Sequence, residues 1–289
     1  MSLRAYVNLS CNATAASIEE WQLHYRSQGA GADVVLLHPS PLSCEFMQPI
    51  MDLLSDDCRV YALDTPGYGQ SDPLPQSCKG LSGYVEALHQ FIVALELKTP
   101  LIYGSATGAQ IAIEYAKAYP EHTCGLVLEN AAWFTDEERD IMLSKYFPSI
   151  SAQDDGGHLS LVWNMVSQLY EFFPWFDTSA SARVNSAEIP AAFKHKTLMG
   201  YFTAGENYDL AYRAAFMNEK PEQLRQVTVP THILNWESGL LKKYVDRLYE
   251  AALPKNITIK PVSKGLEFRF RELKSSVLTL LSDTYKKNS

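Results

Sequence analysis

Four short apolar runs constrain the fold more than anything else in this chain: VVLL at 34–37, VYAL at 60–63, LIY at 101–103 and GLVL at 125–128. None shows the polar alternation of a half-solvated strand, and none is long enough for a helix. Such runs read as strands buried on both faces, the signature of a parallel sheet. Each stops at a turn-forming sequence, His38-Pro39-Ser40-Pro41, Asp64-Thr65-Pro66-Gly67-Tyr68-Gly69, Gly104-Ser105-Ala106-Thr107-Gly108 and Glu129-Asn130. Helical spacing fills the intervals: 46–54, then Leu81, Val85, Leu88, Phe91, Ile92 and Leu95, then Ile111, Ala112, Tyr115 and Ala116. Strand alternating with helix predicts an α/β fold with a mostly parallel, doubly wound sheet, whose ligand crevice lies at the C-terminal strand ends. Residues 3–26 read as an edge hairpin.

From Trp133 to Met217 the strand-type runs disappear and aromatic residues cluster, which predicts a helical insertion. Alternation resumes with a strand at 230–236, a helix at 240–252, a strand at 257–262 and a closing helix at 272–281. The expected division is a core of 1–133 and 218–289 and a helical cap of 134–217.

The chain has 289 residues, 46% of them hydrophobic, enough to bury a core without disulfides or metal. With 25 basic and 33 acidic residues its formal charge is -8, and it has no long basic run, so nucleic acid and anionic membranes are not the expected partners. No apolar stretch reaches bilayer length and no leader pattern opens the chain. Five scattered cysteines without a C-x-x-C pair fit a reducing compartment, and a cytoplasmic protein is expected. A homo-oligomer is compatible with all of this. No phosphate-cradling loop, metal-spaced cluster or dinucleotide fingerprint is present, so neither cofactor nor metal is expected.

Four stretches, VVLLHPSP, YALDTPGYGQSDP, YGSATGAQIAIEYAKAYPE and GLVLEN, occur in an order that resembles the α/β-hydrolase fold superfamily. That resemblance implies a nucleophile at the centre of G-x-S-x-G, on a strained strand-to-helix turn. Gly104 and Gly108 fill the glycine positions, and the residue between is Ala106. It also implies a histidine after the last strand, where Leu266 follows Gly265, and an acid after the preceding strand, where the sequence reads Glu237-Ser238-Gly239. Ala106, Gly239 and Leu266 therefore mark degenerate triad positions. A serine attacks at neutral pH only with a base in reach and an acid orienting that base, so a Ser-His-Asp relay is not expected.

Four residues remain candidates for chemistry at the strand ends: His38, Ser105, Glu129 and His158. Each has a structural reading beside the functional one. His38 shapes its turn or exchanges protons; Ser105 is a relocated nucleophile or a neighbour pointing elsewhere; Glu129 is an alternative acid or a turn residue. His158 reaches the cleft or stays within the insertion. Pro39, Ser40, Thr107, Trp133, Trp163, Trp175 and Trp236 are expected to line the pocket, with Pro39 unable to supply the amide that an oxyanion hole needs. The aromatic cap predicts a water-poor site for a small apolar or aromatic molecule. The expected function is binding or acting on such a molecule; a lyase, isomerase or cyclase using His38 or His158, and a hydrolase with relocated groups, are the alternatives.

Overall fold

The computed structural model describes residues 2–14, 17–75, 78–186 and 188–288. Each expected apolar run is a strand: β3 (Ala32–Leu37), β4 (Cys58–Leu63), β5 (Leu101–Ser105) and β6 (Gly125–Glu129). The predicted hairpin is β1 (Leu3–Thr14) with β2 (Ser17–Gly29), and the late strands are β7 (Thr231–Trp236) and β8 (Ile257–Val262). They form one sheet in the order β1-β2-β4-β3-β5-β6-β7-β8. The β1–β2 and β2–β4 pairings are antiparallel and the remainder parallel, as in an α/β-hydrolase fold.

The two-residue period of a strand sorts its side chains between two cores. Val35 and Leu37 pack with α2 (Leu81–Ala94) and α3 (Thr107–Ala118) on one face. Val34 and Leu36 pack with α1 (Gln48–Leu54) and α10 (Leu266–Asn288) on the other. Because both faces are covered, the strands carry no polar alternation.

Between β6 and β7 the chain runs through α4 (Asp136–Lys145), α5 (Gly157–Leu169), α6 (Ala191–Ala204), α7 (Leu210–Asn218) and the short α8 (Pro221–Arg225). A Thr135–Glu138 capping box starts α4. Val162, Met165 and Val166 of α5 join Tyr201 and Tyr208 in a third, smaller core within this segment. Two helices differ from expectation. The 240–252 segment shortens to α9 (Lys242–Asp246), after which Arg247 reaches the Trp133 carbonyl and the Glu138 carboxylate. The last helix begins at Leu266, six residues early, which changes what Leu266 faces. Among the described residues, no helix is long and apolar enough to cross a membrane.

Candidate functional site

The β5–α3 connection is a sharp elbow. Ala106 sits at its tip with φ 49° and ψ -111°, a conformation that costs a residue bearing a Cβ on the order of 1–3 kcal/mol. The elbow closes only because its flanking glycines lack side chains. A Cβ on Gly104 would lie 2.4 Å from the Gly108 carbonyl oxygen, and one on Gly108 2.3 Å from that of Leu37. The Ala106 N–H donates to the Glu129 carbonyl at 3.0 Å, tying the tip to β6. Above it, at the C-terminal ends of the parallel strands, is a cavity of about 640 Å³. The elbow residues Ser105, Ala106 and Thr107 line it from the sheet, and Leu169, Phe173, Tyr212 and Phe216 line it from the inserted helices.

The structure divides the sequence-derived candidates. Pro39, Ser40, Ser105, Thr107, Glu129, Trp236 and Gly239 line the cavity. His38 does not. Its Nε2 accepts the Thr65 N–H at 2.9 Å, which leaves Nδ1 to carry the proton and donate to the Pro39 carbonyl at 3.1 Å. Burial lowers its pKa despite the opposing charge of Asp64. His38 is thus a neutral brace between two loops, and the acid/base reading fails for lack of a free nitrogen. His158 fails for location: Nδ1 accepts the Gln153 N–H at 3.1 Å, and the ring packs edge-on against Phe202 within the insertion.

Three tryptophans are likewise outside the cavity wall. Trp163 is 38% exposed on the outer side of α5. Trp175 packs on the main core and donates to the Tyr146 carbonyl, and Trp133 is held through its backbone by Tyr244 and Arg247. Leu266, at the sequence position of the triad histidine, is 55% exposed and does not line the cavity. The early start of α10 turns Leu266 outward and presents Arg269 to the cavity instead.

Ser105 Oγ accepts from Asn130 Nδ2 at 3.3 Å, with no base or acid in the pair. Glu129, read from sequence as an acid or a turn residue, is a buried ion-pair partner. Arg269 Nε and Nη2 grip its two oxygens and the Tyr103 hydroxyl donates to it at 2.6 Å. Among the described residues no histidine lines the cavity. Thr107 opens α3, so its amide has no acceptor within the helix and is available to a bound oxygen.

Among the cavity residues that escaped the sequence reading, two stand out for their buried charge-bearing groups. One is Arg269; the other is Glu219, directly after α7, 1% exposed, with Oε2 accepting no hydrogen bond among the described residues. Burial raises the Glu219 pKa well above the usual carboxyl range, and the nearby Arg139 charge only partly opposes this. Away from the cavity, His24, Cys44 and Asp64 bring potential metal-ligating atoms within 4.8 Å of one another. The Asp64 carboxylate already accepts the amides of Cys44 and Gln70 and pairs with His24 Nδ1, so the cluster serves to hold the β4 turn.

The family model described as serine aminopeptidase, S33 (Hydrolase_4) matches residues 30–199. A haloalkane dehalogenase from Agrobacterium fabrum is 22% identical over 267 residues, 90% of this chain and 87% of its own. A pimeloyl-[acyl-carrier protein] methyl ester esterase from a Shewanella species is 33% identical over 37% of each chain. Among solved structures, a bromoperoxidase from Bacillus anthracis superposes with a TM-score of 0.69 at 18% identity, covering 96% of this chain and all of that one. An esterase from Thermogutta terrifontis gives 0.67 at 17%, covering 96% and 98%. The match over more than half of the sequence, joined to the sheet order and the elbow, shows that the chain belongs to the Hydrolase_4 family and with it to the α/β-hydrolase superfamily.

Proposed function

We propose that this protein binds a small apolar or aromatic molecule in the cavity over the elbow, with the inserted helices as its cap, and that any chemistry there runs without a Ser-His-Asp relay. One observation carries the reading: the elbow tip is Ala106, and no imidazole among the described residues lines the cavity above it. A serine-type attack needs a hydroxyl at the tip and a base within about 3 Å of it. The wall supports an apolar ligand, since aromatic and aliphatic side chains from α5 and α7 face the elbow across a volume in the usual range for small-molecule sites. The dehalogenase relative is named for a reaction on haloalkanes, which agrees with a site built around small apolar substrates.

Two measurements on the purified chain test the reading together. A fluorophosphonate probe and a panel of p-nitrophenyl esters are expected to give neither labelling nor turnover above buffer. A thermal-shift screen of small aromatic compounds is expected to raise the melting temperature. Stoichiometric phosphonylation of any cavity residue overturns the non-relay part, and a screen in which no apolar compound stabilises the protein overturns the ligand class.

A further inference from the structure

We propose that the Glu219 carboxyl is the anchoring group of the cavity, donating a hydrogen bond to an acceptor oxygen, a ketone, ester or lactone carbonyl, on an otherwise apolar molecule. The inference rests on the small-molecule reading above and adds the chemistry that selects the ligand.

Glu219 follows the last turn of α7, whose Tyr212 and Phe216 also line the cavity, so it continues one buried stripe at helical spacing. A polar atom without a partner inside a protein costs roughly 1–3 kcal/mol, and such atoms are uncommon enough to need a reason. Glu219 has such an atom in Oε2. The cation that would ordinarily satisfy it is committed elsewhere: Arg139 donates from Nε to the Phe216 carbonyl at 3.1 Å, from Nη2 to the Phe134 carbonyl at 2.9 Å, and from Nη1 to Asp136. Nor do the hydroxyls of Tyr146 and Tyr212 bond to it; they pair with each other at 3.2 Å.

An ionised carboxylate in these surroundings would be buried with Oε2 lacking a hydrogen bond, which is far costlier than the neutral acid. Oε2 itself has no exposed surface, so this cavity-lining acid reaches a ligand by turning its O–H donor towards the cavity. A carbonyl oxygen satisfies that donor and a hydrocarbon leaves it unsatisfied, while an anion gains no opposite charge from the neutral acid; of the cations on the described wall, Arg269 is held by Glu129 and Lys242 by Asp246, and Lys264 lies among the lining residues. The Glu219 end of the site therefore selects neutral acceptors.

The test uses the full chain at pH 7 with three probes of one shape: 2-acetylnaphthalene, 2-ethylnaphthalene and 2-naphthoate, with dissociation constants read by calorimetry. Wild type is expected to bind the ketone about tenfold more tightly than the hydrocarbon, the worth of one buried hydrogen bond, and to bind the carboxylate more weakly than either. Glu219→Leu is expected to erase the preference for the ketone while still binding the hydrocarbon, and Glu219→Gln, which keeps an N–H donor, to retain part of it. The wild-type comparison stands even if a variant folds poorly. Equal binding of ketone and hydrocarbon by wild type, or an unchanged preference in Glu219→Leu, overturns the anchor and leaves the apolar site intact. Failure of wild type to bind either neutral probe overturns the anchor together with the apolar site beneath it.

Discussion

Arg269 clamps Glu129: Nη2 donates to Oε2 at 2.6 Å and Nε to Oε1 at 2.9 Å, locking α10 onto the C-terminal end of β6 beside the cavity. The Tyr103 hydroxyl completes the set, so each Glu129 oxygen is hydrogen-bonded. Removing one member of such a pair leaves an uncompensated buried charge, whereas removing both does not. Arg269→Met is expected to destabilise the fold by about 3 kcal/mol. The double variant Glu129→Gln, Arg269→Met is expected to lose less than the single one. Urea denaturation of the four members of the cycle measures this, and a double variant weaker than Arg269→Met would refute it.

At the elbow, two substitutions of similar size should act in opposite directions. Ala106 pays for its positive φ, so Ala106→Gly relieves strain and is expected to stabilise by about 1 kcal/mol after the entropic cost of glycine is subtracted. Gly108→Ala drives a methyl group to 2.3 Å from the Leu37 carbonyl oxygen and is expected to cost about 3 kcal/mol. Thermal melts of both variants decide the matter, and a stabilising Gly108→Ala would show that the elbow is less crowded than its geometry implies.

The strands were legible in the sequence because burial on both faces leaves an uninterrupted apolar run, and the elbow because Gly104 and Gly108 permit an approach no other residue allows. The walls of the cavity were harder to read. Trp133, Trp163 and Trp175 share the composition of a lining, but which way Trp163 of α5 and the loop residues Trp133 and Trp175 face is set by packing that one segment does not encode. His38 and His158 stood at suggestive positions, yet the Pro39 carbonyl and the Thr65 amide occupy both nitrogens of His38, and His158 packs against Phe202 away from the cavity. Glu219 and Arg269 carried a usable signal that their charge masked. Tyr212, Ala215, Phe216 and Glu219 follow one helical stripe, and stepping back by four from Val277 through Leu273 reaches Arg269. A charge on a buried stripe was the clue in both places.

Restoring side chains by sequence position should not restore a relay. Leu266 is 55% exposed at the start of α10, and Arg269 holds the place at the cavity. The double variant Ala106→Ser, Leu266→His is therefore expected to hydrolyse p-nitrophenyl acetate no faster than wild type, because the new imidazole points to solvent and lacks an orienting acid. Turnover accompanied by fluorophosphonate labelling of the introduced serine would show that residue 266 reaches the elbow.

Asp64 should govern acid stability. Burial works against its charge, but His24 Nδ1 at 2.8 Å and the amides of Cys44 and Gln70 outweigh that and hold its pKa below the usual carboxylate range. A carboxyl with a depressed folded pKa contributes stability that is complete above its unfolded pKa of about 3.9 and is lost as pH falls through the folded value. The advantage of wild type over Asp64→Asn in urea midpoint is expected to be large at pH 7 and smaller at pH 3. An advantage equal at both values would detach the residue from the acid transition.

Glu219 should act on stability with the opposite sign. Burial raises its carboxyl well above the usual range and Arg139 only partly counters this, while burial also keeps the neighbouring Tyr146 and Tyr212 neutral. In the unfolded chain the same group ionises near pH 4.3. Between that pH and the folded pKa the native state holds a proton that the unfolded state has released, so native stability falls as pH rises. Glu219→Gln keeps the shape and removes the titration. Its stability is expected to match wild type near pH 4 and to exceed it by a margin that widens towards pH 8, read from urea unfolding across that range. A difference independent of pH would mean that the carboxyl ionises alike in both states, and that the cavity holds a charged group at its wall.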